Sequence, residues 1–319
     1  AVFRTTRGLP SGEPDPRAAR EDRWYLNFNG FPFPLGPLFY RRTHVTELKP
    51  RRVWAFEQEQ SLGVGEGSTI SANSRMTVVR LKDGSLWVLN PLAPTRELVR
   101  MLRGLGGPVR HIVIGSTQYE HKAFAAPFSR RFPAAQVWTV PDQYSFPLDL
   151  PLPLLGLFGA RELTARDAPE APEWADEIPF SLLRPSERLG FGYAAVEAAF
   201  LHRQTRTLMV TDALVLVPRE APAVVDRANL RALGSPGNAV TSLAAATNWR
   251  GKGQAIREAE AAARARSAYE SVELLERRGW QRNAVLSLYF GPGADAIADP
   301  ARAFAAIQGR WIVGPVCAT

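Results

Sequence analysis

Cysteine is almost absent. Cys317 stands alone near the end of the 319 residues, so within one chain neither a disulfide framework nor a cysteine-based zinc site can be assembled. Histidine is nearly as scarce: His44, His111, His121 and His202 are the four, which leaves little imidazole for metal chemistry. No apolar run approaches the ~20 residues of a membrane-spanning helix. The stretch from Phe146 to Phe158 comes nearest, but Pro147, Pro151 and Pro153 interrupt it, and it reads as a packed loop ahead of an interfacial segment. The glycine clusters at 63–67 and 190–192 lack the lysine and the strand-to-helix setting of a phosphate loop. Ser116 and His121, drawn as nucleophile and base, share one short loop, and that proximity gives no warrant for the pairing.

Acidic residues are short where basic ones collect. The net charge is +8, and between Arg4 and Arg52 ten Lys and Arg face five Asp and Glu, so most of the excess belongs to an N-terminal arm. Such an arm suits RNA, an anionic membrane surface or an acidic protein face, and equally a solvated tail. Residues 1–23 carry no hydrophobic period and read as disordered or draped over a partner. Their arginine content and the start at Ala1 fit a processed organelle-targeted precursor, although simple removal of Met leaves the same start. Immediately after, Trp24, Tyr25, Phe28, Phe31, Phe33, Phe39 and Tyr40 crowd among Gly and Pro, and Pro32, Pro34 and Pro37 forbid a helix. These rings must dock, in the first place on the chain's own sheet edge, in the second on a protein partner or a membrane surface.

With 45% hydrophobic residues the rest of the chain can bury a full core. Its centre is Met76 to Phe124. Two apolar runs flank Lys82-Asp83-Gly84, which predicts a hairpin. Thr95 is a helix N-cap, Leu98, Met101, Leu102 and Leu105 recur at helical spacing, and Gly106-Gly107-Pro108 stops the helix. His111 to Gly115 is a strand. At its C-terminal end, where an α/β sheet displays its site, the chain turns through Ser116 to His121. Phe124, Phe128 and Phe132, four apart, predict one helix face against the sheet, and Gln136 to Val140 a further, parallel strand. A short strand is expected over Arg51 to Phe56, and Thr164 to Glu177 reads as a surface loop.

Ala194 to Leu201 and Thr207 to Val217 predict a second hairpin around His202 to Arg206. Asp212 falls among Met209, Val210, Leu214 and Val215, either inside that strand or at its end beside a turn. A carboxylate there needs a partner: a cation, a hydrogen-bond donor or a metal. Gln254 to Glu276 reads as one or two exposed helices, Trp280 to Phe290 as a buried strand or helix, and Pro300 to Ile307 as a short helix.

These segments, MTVVRLKDGSLWVLNPLAPT, Glu120-His121-Lys122, TLMVTDALV and GWQRNAVLSLYFGP, resemble the metallo-β-lactamase-like hydrolase superfamily. Within it they are most similar to an uncharacterised family of plants, algae and cyanobacteria. The resemblance implies an α/β protein, a metallo-β-lactamase-like αββα sandwich over residues 53–315 with a helical insertion near 219–278, preceded by the arm 1–52. It also implies where the superfamily's metal ligands fall. The His-x-His-x-Asp-His loop lands on Ser116, Gln118, Glu120 and His121, the next His on Tyr193, the bridging Asp on Asp212, and the last His near Tyr289 or Phe290. Only His121 and Asp212 match.

Two-metal hydrolysis uses one ion to acidify water and a second to hold the oxyanion. By this alignment it cannot be assembled, so no cofactor is expected; a single divalent zinc, iron or manganese ion on Glu120, His121 and Asp212 is the alternative. The expectation is a non-catalytic binding or scaffold subunit of a larger chloroplast assembly, stromal or thylakoid-associated, with Trp24 to Tyr40 as contact surface. A single-metal hydrolase of an ester or phosphoester is the second reading and an RNA-binding protein the third.

Overall fold

The computed structural model describes residues 20–26, 35–37, 39–62, 70–144, 150–164, 170–184, 194–237, 245–246, 251–267, 270–289 and 311–313. They form a mixed α/β structure around a large mixed sheet. Strands β1 (Leu35–Gly36) and β2 (Thr43–Lys49) lie along one edge of β3 (Val53–Leu62), followed across the sheet by β4 (Ile70–Arg80) and β5 (Leu86–Leu89), all antiparallel. From β5 the sheet turns parallel through β6 (Val109–Ile114), β7 (Gln136–Thr139) and β8 (Arg161–Glu162). The change of direction follows from the connections. A tight Asp-Gly turn joins β4 to β5, whereas helix α1 (Arg96–Gly104) carries the chain back across the sheet between β5 and β6. Thr95 caps that helix, its side chain accepting from the Leu98 amide at 3.1 Å.

Both faces of the sheet are buried. Met76, Val78, Leu86, Val88, Ile112 and Ile114 pack on Leu98, Leu102 and Phe128, while the alternate positions Val79, Trp87, Leu89, Val113 and Trp138 meet a second sheet. That second sheet is antiparallel and consists of β9 (Phe180–Leu183), β10 (Glu197–His202) and β11 (Thr207–Met209). Trp174 sits between the two, 5.5 Å from the Trp87 ring and 5.8 Å from Phe180, and is 2% exposed. The expected surface loop at 164–177 therefore contains a core residue: polarity and prolines described its neighbours, but the indole anchors the segment.

Several boundaries differ from expectation. The strand predicted at 51–56 extends to Leu62, and β2, placed in the arm, pairs with it, so a division at 52 cuts a hairpin. The three phenylalanines do not share one helix: the segment breaks at Ala123 and Phe124 between α2 (Tyr119–Lys122) and α3 (Ala125–Ser129), because Pro127, in the first turn of α3, has no N–H to donate back to Ala123 O. Phe128 and Phe132 join the sheet core, whereas Phe124 packs under Tyr25. In the proline-rich stretch residues 152–155 form a 3-10 turn and Leu157 is buried, but Leu154 and Phe158 are 66% and 75% exposed.

After β11 the chain leaves the second sheet. Strand β12 (Leu214–Leu216) pairs with β13 (Trp311–Val313) instead. Helix α4 (Arg227–Gly234) packs on α6 (Val272–Tyr289) around Leu230, Trp280 and Ala284, and α5 (Gly253–Ser267) precedes α6. Trp280 to Tyr289 is thus helix, and the expected helix at 300–307 lies outside the described residues. Asn283 ties α6 to the main sheet by accepting from the Ser71 amide at 2.7 Å. No helix among the described residues is long and apolar enough to cross a membrane.

Candidate functional site

The C-terminal ends of β5, β6 and β7 meet the second sheet at one edge, and the polar residues collect there. Asn90, which ends β5 with φ 53°, accepts the Gly115 amide at 2.9 Å and donates to Thr211 Oγ1 at 3.0 Å. Asparagine tolerates this left-handed backbone better than most residues. Gly115 leaves no room for a side chain, since a Cβ would lie 2.7 Å from Leu89 Cδ1. Beyond it the chain pairs with the start of β10: Thr117 N donates to Val196 O at 3.0 Å and Ala198 N to Gly115 O at 2.9 Å. The loop that carries the candidate residues is thereby fastened to both sheets.

At position 212 a strand end, not a strand interior, is found. Strand β11 stops at Met209 and the chain bends through Thr211, Asp212 and Ala213. The fully buried Glu197 holds this bend, accepting from Thr211 N at 2.5 Å and Asp212 N at 2.9 Å. Burial pushes the Glu197 carboxyl up, against the pull of these amides. Turned the other way, Asp212 Oδ2 meets His121 Nε2 at 2.9 Å. Burial works against charge on both. The contact nevertheless outweighs it, raising His121 to about 9 with help from Glu120 and Glu197, and lowering Asp212. An imidazolium on a carboxylate is the ground state of this pair near neutral pH.

Ser116 is buried, and its hydroxyl accepts the Gln118 amide at 3.1 Å. The Gln118 side chain makes no cap on α2. Glu120 is exposed and joins His121 and Asp212 in a group whose ligand atoms all lie within 4.8 Å of one another. Among the described residues this is the one group of three metal-ligating side chains, one nitrogen and two carboxylates. It could hold one ion only if the His121 proton left, and it does not supply the donors for two. Tyr193, Phe28, Phe31 and Phe33 lie outside the described residues. At Tyr289 the chain is the last turn of α6. The other histidines are remote: His111 faces Glu173 at 3.4 Å, His202 contacts Thr205 at 2.7 Å and His44 lies in β2, with burial pushing all three pKa values down.

Of the arm, Tyr25 turns inward onto Phe124, whereas Trp24, Phe39 and Tyr40 stay exposed. Self-docking thus accounts for one ring of four among the described ones.

Sequence reasoning missed three residues. Glu197 carried the same signal as Asp212, a carboxylate in an apolar run, Ala194-Ala195-Val196-Glu197-Ala198. Lys122 is 2% exposed and donates to Thr117 O at 2.8 Å and Gln143 Oε1 at 3.0 Å, its ammonium 3.8 Å from the Tyr144 ring centre. Gln143 returns a bond from its amide nitrogen to Ser116 O at 2.9 Å. A lysine inside an apolar helix was visible; its partner beyond β7 was not.

Fold and polar contacts define a mixed α/β domain whose polar centre, at the ends of its parallel strands, is built around a carboxylate-bound imidazole. The chain belongs to the family described as a domain of unknown function, DUF4336, over residues 50–310. No curated protein matches it.

Proposed function

We propose that this is a metallo-β-lactamase-like αββα domain that has kept its architecture without two-metal hydrolysis, and that it serves as a binding or scaffold subunit of a chloroplast assembly. The observation that carries the reading is the 2.9 Å contact of His121 with Asp212. In a dinuclear centre both side chains would be ligands; here each neutralises the other, and the hydroxyl of Ser116 is spent on the backbone of its own loop. Helices on one face of the main sheet and a second sheet on the other support the layered fold. The chloroplast setting rests on the resemblance to a plant, algal and cyanobacterial family.

The convergence of Glu120, His121 and Asp212 favours a second reading, a single divalent ion serving hydrolysis of an ester or phosphoester. Elemental analysis of the full chain, with ester and phosphodiester assays on wild type and His121→Ala, separates the two. The scaffold reading expects metal far below one equivalent and no activity that His121→Ala removes. Stoichiometric zinc, iron or manganese, lost together with activity in that variant, would establish the hydrolase instead.

A further inference from the structure

A second site lies apart from the His121–Asp212 pair, where the arm crosses helix α1. Trp24 and Tyr40 form an antiparallel bridge. Its hydrogen bonds, Tyr25 N to Phe39 O at 2.8 Å and Arg41 N to Arg23 O at 2.9 Å, flank the pair. This is the arrangement in which facing side chains stand closest, on the same side of the ribbon. The neighbouring positions point the other way. Tyr25 sets its edge against Phe124 at 5.8 Å, and Arg41, 1% exposed, lies 4.7 Å above the same ring. Alternation therefore turns Trp24 and Tyr40 outward, where they remain 51% and 41% exposed.

These rings, with Arg20, Glu21 and Arg96, line an open, solvent-facing cavity of about 700 Å³, comparable in volume to small-ligand sites. The Arg20 guanidinium stacks over Tyr40 at 4.7 Å. Nearby arginines are neutralised, Arg23 by Glu97 at 2.8 Å and Arg100 by Asp22. Arg20 and Arg96 have no carboxylate partner among the described residues. Among the described residues, one cavity thus offers an exposed indole, two guanidinium groups without a carboxylate partner and one carboxylate.

We propose that this cavity binds a nucleoside monophosphate, the base against Trp24 and the phosphate monoester between Arg20 and Arg96. A simple anion would leave the indole in water, and an uncharged ring would leave both guanidinium groups unused. An acidic peptide supplies carboxylates but no planar face. Two guanidinium groups match a dianionic monoester better than the single charge of a diester. Glu21 is placed to accept from the ribose hydroxyls or an exocyclic amine. The nucleotide is either free or the 5′-phosphorylated end of a single-stranded RNA, and the chemistry is the same for both.

The test is calorimetric titration of the full chain with adenosine 5′-monophosphate, adenosine, inorganic phosphate, glutamate-rich peptide, and a short oligoadenylate with and without its 5′ phosphate. Saturable binding of the monophosphate at one site is expected. It should weaken roughly tenfold in Trp24→Leu, as loss of one stacking contact implies, and comparably in Arg20→Gln and Arg96→Gln. All three side chains are exposed, so the melting temperatures should stay at the wild-type value. Tighter binding of the 5′-phosphorylated oligonucleotide would assign the site to RNA ends, and equal or weaker binding to the free nucleotide. Absence of saturable binding by the monophosphate and by the phosphorylated oligonucleotide, affinity unchanged in Trp24→Leu, equally tight inorganic phosphate, or preference for the peptide would each overturn the proposal.

Discussion

Glu197 holds Asp212 by its backbone, accepting the Asp212 amide at 2.9 Å while the Asp212 side chain turns to His121. One buried carboxylate therefore sets the position of another that it does not touch. Glu197→Gln retains one acceptor oxygen but presents an NH₂ to Thr211 N or Asp212 N, leaving a partly buried amide unpaired. The cost should be about 1–3 kcal/mol, read as a lower denaturation midpoint with unchanged slope in urea. His121 should titrate lower in the same variant, since Glu197 helps to raise it.

The His121–Asp212 pair gives stability a pH window. His121 is raised to about 9, so its contribution is complete below the pKa of an unfolded histidine and is lost as pH rises through about 9. Asp212 is lowered, so its contribution is present above the unfolded aspartate value and is lost as pH falls through the folded one. Between neutral pH and pH 10, wild type should lose roughly 2 to 3 kcal/mol through this linkage. Asp212→Asn should be less stable at neutral pH and should lack that loss, as measured by urea unfolding at a series of pH values.

Lys122→Met keeps the length of the side chain and removes the ammonium that Thr117 O and Gln143 Oε1 accept from. One buried acceptor and one partly buried acceptor then lose their donor. Destabilisation of about 2–4 kcal/mol is expected, with faster amide exchange at residues 116–118, whose loop the ammonium fastens. An unchanged midpoint would mean that this cation does not organise the loop.

Trp174→Ala should cost about 3–5 kcal/mol, the range for emptying a large core site. The expected signature is a lower midpoint and a changed near-ultraviolet circular dichroism spectrum, because Trp87, Trp138 and Phe200 all pack on this indole. A surface tryptophan would show neither.

The elements legible in the sequence were those whose signals are local. Asp83-Gly84 set the β4–β5 turn, Thr95 and Gly106-Gly107 bounded α1, and short apolar runs marked β6 and β7. What escaped depended on partners far along the chain. Trp174 looked like loop until Trp87 and Phe200 surrounded it, and Pro127 outweighed a four-residue phenylalanine spacing. At the candidate site His121 and Asp212 were legible as isolated anomalies, and their contact across 91 positions required the fold. Glu197 was equally anomalous, yet its role lies in backbone amides that no side-chain pattern reports. Alternation in the arm, Tyr25 inward and Trp24 outward, was hidden by the glycines and prolines around it.

The most direct measurement of the central claim is the ε2 nitrogen of His121, followed by NMR in full-length protein labelled at histidine nitrogens, at pH 7, before and after one equivalent of Zn²⁺. With four histidines in the chain, single substitutions assign every signal. The account predicts an imidazolium protonated on both nitrogens and unmoved by zinc. A neutral ring whose ε2 nitrogen shifts on coordination would contradict it.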